Sequence, residues 1–177
     1  MTGAPATILE TPRLILRRLT LEDAPFAMAL VNDPAWIENI GDRNVHSLDD
    51  ARAYLEKGTI AMYAREGFGM YAVVLKESGA TIGTCGLVKR AGLDDVDLGF
   101  AFLPEYRSRG LALESATAVR DYATATLGMN RLVAIVSPAN QPSIRLLEKL
   151  GFRYERPVKL PGDDEEIALY ALAAPAP

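Results

Sequence analysis

Apolar and polar positions alternate with two different periods along this chain, and the change of period falls near residue 69. Ahead of it, "RLILRRL" (Arg13–Leu19) follows Pro12 and predicts one short strand. "TLEDAPFAMALVND" then has Thr20 as an N-cap, with Glu22 and Asp23 in the first turn, and predicts a helix to about Val31. Asn32, Asp33 and Pro34 end it. Ser47 is a second N-cap, opening "SLDDARAYLEKGTIAMYARE", where Gly58 is a candidate interruption.

After the change, "GMYAVVLKE" and "ATIGTCGLVKR" read as strands separated by the turn signal "ESGA". Asp95–Leu103 alternates, with Val96, Leu98, Phe100 and Phe102 on one face and Asp97, Gly99, Ala101 and Leu103 on the other. Leu111 to about Leu127 predicts a helix closed by Gly128. "RLVAIV" (Arg131–Val136) has the length of a buried strand. "NQPSIRLLEKLG" predicts a short helix with Pro142 in its first turn and Gly151 at its end. "FRYERPVKL" and "EEIALYALA" predict two last strands joined across "PGDD".

The order is β-α-α-β-β-β-α-β-α-β-β. The helix between Leu103 and Arg131 allows one parallel crossover, and the remaining strands suit antiparallel pairing. The expectation is a single mixed α/β or α+β sheet domain over residues 7–172. Residues 1–6 and 173–177, small and proline-rich, read as flexible termini. Glu165–Leu172, read as an exposed terminal strand, is a candidate for pairing between subunits in a homodimer.

Composition narrows the function. The 177 residues are 49% hydrophobic and 24% charged, ordinary for a soluble domain. A net charge of −4 argues against general nucleic-acid binding. One cysteine and one histidine argue against a disulfide framework and an all-protein transition-metal site. The sequence shows no signal-peptide pattern and no apolar run of membrane-spanning length, so a cytoplasmic protein without membrane attachment is expected.

Against that acidic balance, "YRSRGLA" places Arg107, Arg109 and Gly110 at the mouth of a helix. A helix N-terminus offers unpaired N–H groups and the positive end of the dipole, and glycine lets a ligand approach the backbone. The segment therefore reads either as a pyrophosphate cradle or as a strand-to-helix loop with solvated arginines. No Lys-Ser/Thr pair follows the glycine, and G-x-G-x-x-G is absent, which disfavours ATP and NAD. The preceding strand sets Asp97 among Gly99 and Ala101, a face with room for a thin ligand. Asn140 and Ser143 stand at the start of the helix after the next strand.

With these residues in this order, the chain resembles the GNAT superfamily of acyl-CoA-dependent N-acetyltransferases, and within it the ribosomal-protein alanine N-acetyltransferase (RimJ/RimL-like) branch. The family's Arg/Gln-x-x-Gly-x-Gly/Ala motif is matched by Arg107, Gly110 and Ala112. Glu114 falls at the Glu of the branch's helix opening, and "NQPSIRLLEKLGF" is similar to its Asn140-to-Phe152 pattern. The resemblance implies a mostly antiparallel sheet of about seven strands, splayed between the fourth and fifth and flanked by about four helices.

It also implies acetyl-CoA as co-substrate, with no metal, entering between Asp95–Leu103 and Arg131–Val136. Backbone groups of Ala101, Phe102 and Leu103 would pair with the pantetheine arm like an added strand. The loop of Arg107, Ser108, Arg109, Gly110, Leu111 and Ala112 would hold the pyrophosphate, and Asn140 the pantetheine amides. Arg145 and Lys149 read either as contacts to the nucleotide end or as a solvated helix face.

The implied reaction moves an acetyl group to a primary amine, on a protein N-terminus or a small molecule. An amine of reference pKa about 7.7–8.0 needs only a weak base. Asp97 takes that role or binds the ammonium. The branch carries Glu there, and the shorter Asp97 is expected to act through a water or to orient the acceptor. Ser143 stands where the branch has a hydroxyl near the sulfur; it reads equally as a first-turn residue bound to backbone. A strand N–H between Phe100 and Leu103 would stabilise the oxyanion. An acyl-CoA-binding module without catalysis, or transfer of another acyl group, is the alternative. Cys85 reads as core and His46 as surface, while Trp36, Glu38 and Tyr63 fall where the family shapes its acceptor pocket, though each taken singly reads first as ordinary packing or solvent contact.

Overall fold

The computed structural model describes residues 3–173. Eight strands form one sheet: β1 (Thr7–Glu10), β2 (Leu14–Arg18), β3 (Met70–Leu75), β4 (Thr81–Val88), β5 (Val96–Phe102), β6 (Arg131–Val136), β7 (Arg153–Val158) and β8 (Ile167–Ala173). Their spatial order is β1-β2-β3-β4-β5-β6-β8-β7. Every neighbouring pair is antiparallel except β5 with β6. That is the expected mixed, mostly antiparallel sheet. It holds one strand more than the expected seven, because Thr7–Glu10 pairs with β2, so the split falls between the fifth and sixth strands.

Six α-helices accompany the sheet: α1 (Ala24–Val31), α2 (Pro34–Asn39), α3 (Leu48–Leu55), α4 (Ala61–Glu66), α5 (Leu111–Asp121) and α6 (Gln141–Lys149). Thr20 caps as expected, and the turn it caps continues into α1. Ser47 accepts from the Asp50 amide at the start of α3. Gly58 does not break the next helix; it sits in a π-helical turn, Glu56–Ile60, between α3 and α4. Pro34 ends α1 but also opens α2, the first-turn position where its missing N–H costs nothing.

The two faces of the sheet carry different helices. Ala72 of β3 packs with Leu19, Ala24, Val31, Ala51 and Leu55, so α1 and α3 cover its face. Its strand neighbours Tyr71 and Val73 point the other way, into the main core with Ala116 and Val119 of α5 and Leu147 of α6. On that side lies Cys85, fully buried as its core reading requires. Burial pushes its thiol up to about 12, so it is inert as a nucleophile at neutral pH.

The proposed subunit-pairing strand needs correction. β8 lies between β6 and β7, with both of its edges already paired, and cannot add a strand from a second copy. The edges are β1 and β7, and β7 is blunted by Pro157 and a register shift after Tyr154. Ala173 belongs to β8 rather than to a loose tail, and residues 1, 2 and 174–177 lie outside the described residues. Among the described residues, no helix is long and apolar enough to cross a membrane.

Glu114 ties the start of α5 to the β1–β2 turn. One carboxylate oxygen accepts from the Thr11 hydroxyl at 2.7 Å and the Arg13 amide at 3.2 Å; the other accepts from Arg13 Nε at 3.0 Å. Burial pushes the Glu114 carboxyl up, but the bonds from Thr11 and Arg13 together hold it below its ordinary value of 4.5. Arg13 is half exposed, which screens the charge–charge part. Glu114→Ala is expected to lower stability by about 1–2 kcal/mol at neutral pH, read from the urea midpoint. A depressed carboxylate stabilises above its unfolded value and loses that contribution as pH falls. The gap between wild type and variant should therefore narrow below pH 4.5.

Candidate active site

The site begins where two strands stop pairing. β5 and β6 run parallel in register only at Val96↔Leu132 and Asp97↔Val133, then diverge. The Leu103 amide donates to the Ile82 carbonyl at 3.0 Å, which marks this directly opposed couple as hydrogen-bonded. By the alternation of an antiparallel ladder, Ala101 and Gly99 also turn their N–H and C=O toward β4. Phe100 and Phe102 then turn theirs toward the gap. Arg107 Nε already occupies the Phe102 carbonyl, at 3.0 Å. The expectation that Ala101 to Leu103 present the free backbone edge thus holds only for Phe102: Phe100 belongs to that edge with it, while Ala101 and Leu103 are bonded to β4. Sequence alternation shows which side chains share a face, but not which strand neighbour takes the backbone bonds.

A cleft of about 680 Å³ follows the gap. Phe100, Ala101 and Phe102 form its floor; Trp36, Glu38 and Asn39 of α2 form one wall. The other wall is built by Arg107, Ser108, Gly110, Leu111 and Ala112, with Asn140, Ser143, Arg145 and Lys149 of the second helix mouth. The two helix N-termini therefore converge on one space. Leu103, Arg109 and Asp97 are outside this lining. The Arg109 guanidinium lies over the Tyr106 ring at 5.8 Å, while its carbonyl accepts from Arg13 Nη1 at 3.0 Å.

The loop leading into α5 is shaped as an anion cradle. Gly110 is its N-cap at φ 76°, and Ser108 also takes a left-handed conformation at φ 60°. The amides of Ser108, Arg109 and Gly110 have no backbone acceptor among the described residues. Those of Leu111 to Leu113 have none within the helix by its geometry. Such a concave row of N–H groups favours phosphate oxygens. Two of its side chains are spoken for: Arg107 is also ion-paired with Asp33, and Glu114 is engaged with Thr11 and Arg13.

At the facing mouth, Asn140 is the N-cap of α6 and its Oδ1 accepts from the Ser143 amide at 3.4 Å. That leaves the Asn140 Nδ2 donors for the cleft. The Ser143 backbone is therefore capped, and no described bond engages its hydroxyl.

Asp97, expected to act through a water or to orient the acceptor, is enclosed. It is 1% exposed, at the apex of the fork, and Arg90 Nε donates to its Oδ2 at 2.6 Å. Its Oδ1 is buried without a hydrogen-bond partner. Burial pushes the carboxyl up to about 6; the Arg90 charge and hydrogen bond, and to a smaller extent the nearby Ile135 amide, which lies outside hydrogen-bond geometry for Oδ1, pull it back only in part. The carboxylate is thus enclosed and ion-paired at the apex, outside the residues that line the cleft. Tyr63 takes the packing reading: it is a core residue whose hydroxyl accepts from the Leu19 amide and donates to the Met70 carbonyl. Trp36 and Glu38 do reach the cleft, and His46 is exposed.

Comparison with known proteins agrees with this geometry. Residues 13–153 match the family "Acetyltransferase (GNAT) domain". The Bacillus subtilis protein "Uncharacterized N-acetyltransferase YoaA" is 32% identical over 150 residues, 84% of each chain. An acetyltransferase from Agrobacterium tumefaciens superposes with a TM-score of 0.79 at 28% identity, covering 97% of this chain and 96% of the other. RimL, the ribosomal L7/L12 α-N-protein acetyltransferase solved with coenzyme A, shares the fold at a TM-score of 0.80 and 19% identity, over 96% and 98% of the two chains.

The buried carboxylate has a thermodynamic consequence. A folded-state value raised to about 6 means that Asp97 favours the fold when protonated, and that this contribution is lost as pH rises through 6. Asp97→Asn should therefore gain stability relative to wild type as pH rises from about 4 to about 6, with the difference levelling off above about 7. Denaturation midpoints across that range test this; a constant difference would contradict the burial of an ionising group.

Proposed function

The chain belongs to the GNAT acetyltransferase family, and we propose that it binds acetyl-CoA in the forked cleft and passes the acetyl group directly to a primary amine in a ternary complex. The observation that carries this reading is the unpaired strand edge at Phe100 and Phe102, running from a loop of free amides to a buried carboxylate. An extended chain carrying amides at one end and a pyrophosphate at the other fits such an edge and cradle. Coenzyme A in the similarly folded RimL supports the same occupant.

Bound acetyl-CoA supplies a thioester whose carbonyl carbon accepts a neutral amine. The cradle from Ser108 to Ala112 holds the pyrophosphate by backbone N–H groups, with Arg107 fixing the loop through the Phe102 carbonyl. Asn140 binds the pantetheine amides through Nδ2. Arg145 and Lys149, one turn apart and exposed, meet the nucleotide end. Arg109 acts at longer range, since its side chain lies on Tyr106. The Phe100 and Phe102 amides are the strand donors for the carbonyl oxygen as it gains charge. Ser143 gives a hydrogen bond or proton to the departing sulfur.

Asp97 accepts the amine's proton through water, because its carboxylate is too enclosed for direct contact. Its value of about 6 leaves it ionised at neutral pH while the amine still holds its proton. The acceptor is a protein N-terminus or a small-molecule amine. The Arg90–Asp97 pair supports the alternative of acyl-CoA binding without turnover, since it occupies the base.

CoA release with an amine panel separates the two. On the acceptor that reacts, kcat/KM should fall below about pH 6, and Asp97→Asn should lower kcat about 100-fold and remove that limb. Wild-type kcat in both Asp97→Asn and Ser143→Ala would refute these roles. Gly110→Val must hold a branched side chain at φ 76°, and should weaken acetyl-CoA binding far more than Arg109→Ala, measured calorimetrically.

A further inference from the structure

Asp33 lies in the turn between α1 and α2, far in sequence from the phosphate-binding loop, yet it is 8% exposed and ion-paired with Arg107 Nη2. It occupies the N-cap position of α2, where an aspartate ordinarily accepts from its own helix, but its side chain makes no capping bond. Its amide donates to the Leu30 carbonyl and its carbonyl accepts from the Ile37 amide. The carboxylate is thus committed across the cleft rather than along the helix. Arg107 meanwhile spends Nε on the Phe102 carbonyl at the gap. One guanidinium therefore joins the cradle loop, the open edge of β5 and the first turn of α2.

The need for this tie follows from α2 itself. It is six residues long with none of them fully buried, and Trp36 is the side chain by which it packs on the core beneath α1 and α3, so a single anchor and its first turn fix its position. Yet it presents Trp36, Glu38 and Asn39 to the cleft. A helix so weakly packed depends on whatever holds its first turn.

We propose that Asp33 is a positioning residue that couples the cofactor cradle to the acceptor wall: ordering of the loop by acetyl-CoA fixes Arg107, and through Asp33 fixes α2. The inference rests on the cofactor reading above. It makes the acceptor's binding depend on prior occupancy of the cradle, by way of one ion pair.

Hydrogen exchange of the full-length protein tests it, with acetyl-CoA binding followed separately by calorimetry. In wild type, acetyl-CoA should slow exchange across residues 35–40 by about fivefold or more. Asp33→Asn should still bind acetyl-CoA, because the cradle is backbone, but lose that protection and show a raised acceptor KM with little change in kcat. Asp33→Glu should restore part of it. Arg107→Lys keeps the charge but cannot make both contacts together, and should lose the protection too, which covers the case of a poorly folding Asp33→Asn. Equal acetyl-CoA-induced protection in wild type and Asp33→Asn would overturn the coupling while leaving the cofactor reading intact. Failure of wild type to bind acetyl-CoA would overturn both.

Discussion

The rest of the molecule depends on a ladder that stops. A sheet interior normally satisfies every strand N–H and C=O, because leaving them unpaired away from water is costly. Here β5 and β6 pair at two positions and then part, opening an edge inside an eight-stranded sheet rather than at its rim. The parting is held from both sides. β5 keeps its full register with β4, from Gly83↔Phe102 to Val88↔Asp97. β6 keeps its own with β8 over six residues. Neither strand can close the gap without giving up a complete ladder, so the opening is a stable feature suited to an extended ligand.

The helices that follow the two diverging strands bring their N-termini to the same gap, since each begins shortly after its strand ends. The positive ends of two helices and a left-handed turn at Ser108 and Gly110 then serve one space. The proposed anion site is therefore compatible with a net charge of −4, since the charge it offers is local and largely carried by backbone. The arginines divide the work. Arg107 builds the loop, and Arg109 stays at its rim. Arg90 neutralises the buried Asp97 at the far end of the fork.

Much of the site was legible before the structure. Arg107, Gly110 and Ala112 form a spaced motif, and Asn140 and Ser143 follow a strand at a helix start; all five line the cleft. Asp97 was legible as a carboxylate among small residues but not as a buried one. Its enclosure comes from Arg90, from the apex of the fork, and from strands whose pairing no local pattern states. Trp36 and Glu38 were visible as neighbours of the acceptor region. Asp33 was read only as a helix stop, because its partner Arg107 lies 74 residues away. Tyr63, read first as packing, is in the core, but the two backbone groups its hydroxyl bridges, the Leu19 amide and the Met70 carbonyl, belong to distant segments.

What the sequence determined by itself is local: the two hydrophobic periods, the caps at Thr20 and Ser47, a glycine at the mouth of α5, and the alternation that puts Asp97, Gly99 and Ala101 on one face. These follow from backbone sterics and from neighbours within a few residues. Tertiary structure alone decided that β8 lies inside the sheet and that Phe100 rather than Leu103 faces the gap. It also decided that Asp97 is sealed by Arg90 and that Asp33 reaches Arg107 in the loop before α5. Each of these depends on which distant segments pair and on how much water their meeting removes. Those are properties of the folded whole, set by burial and by competition among alternative pairings, and a stretch of chain read in isolation does not carry them.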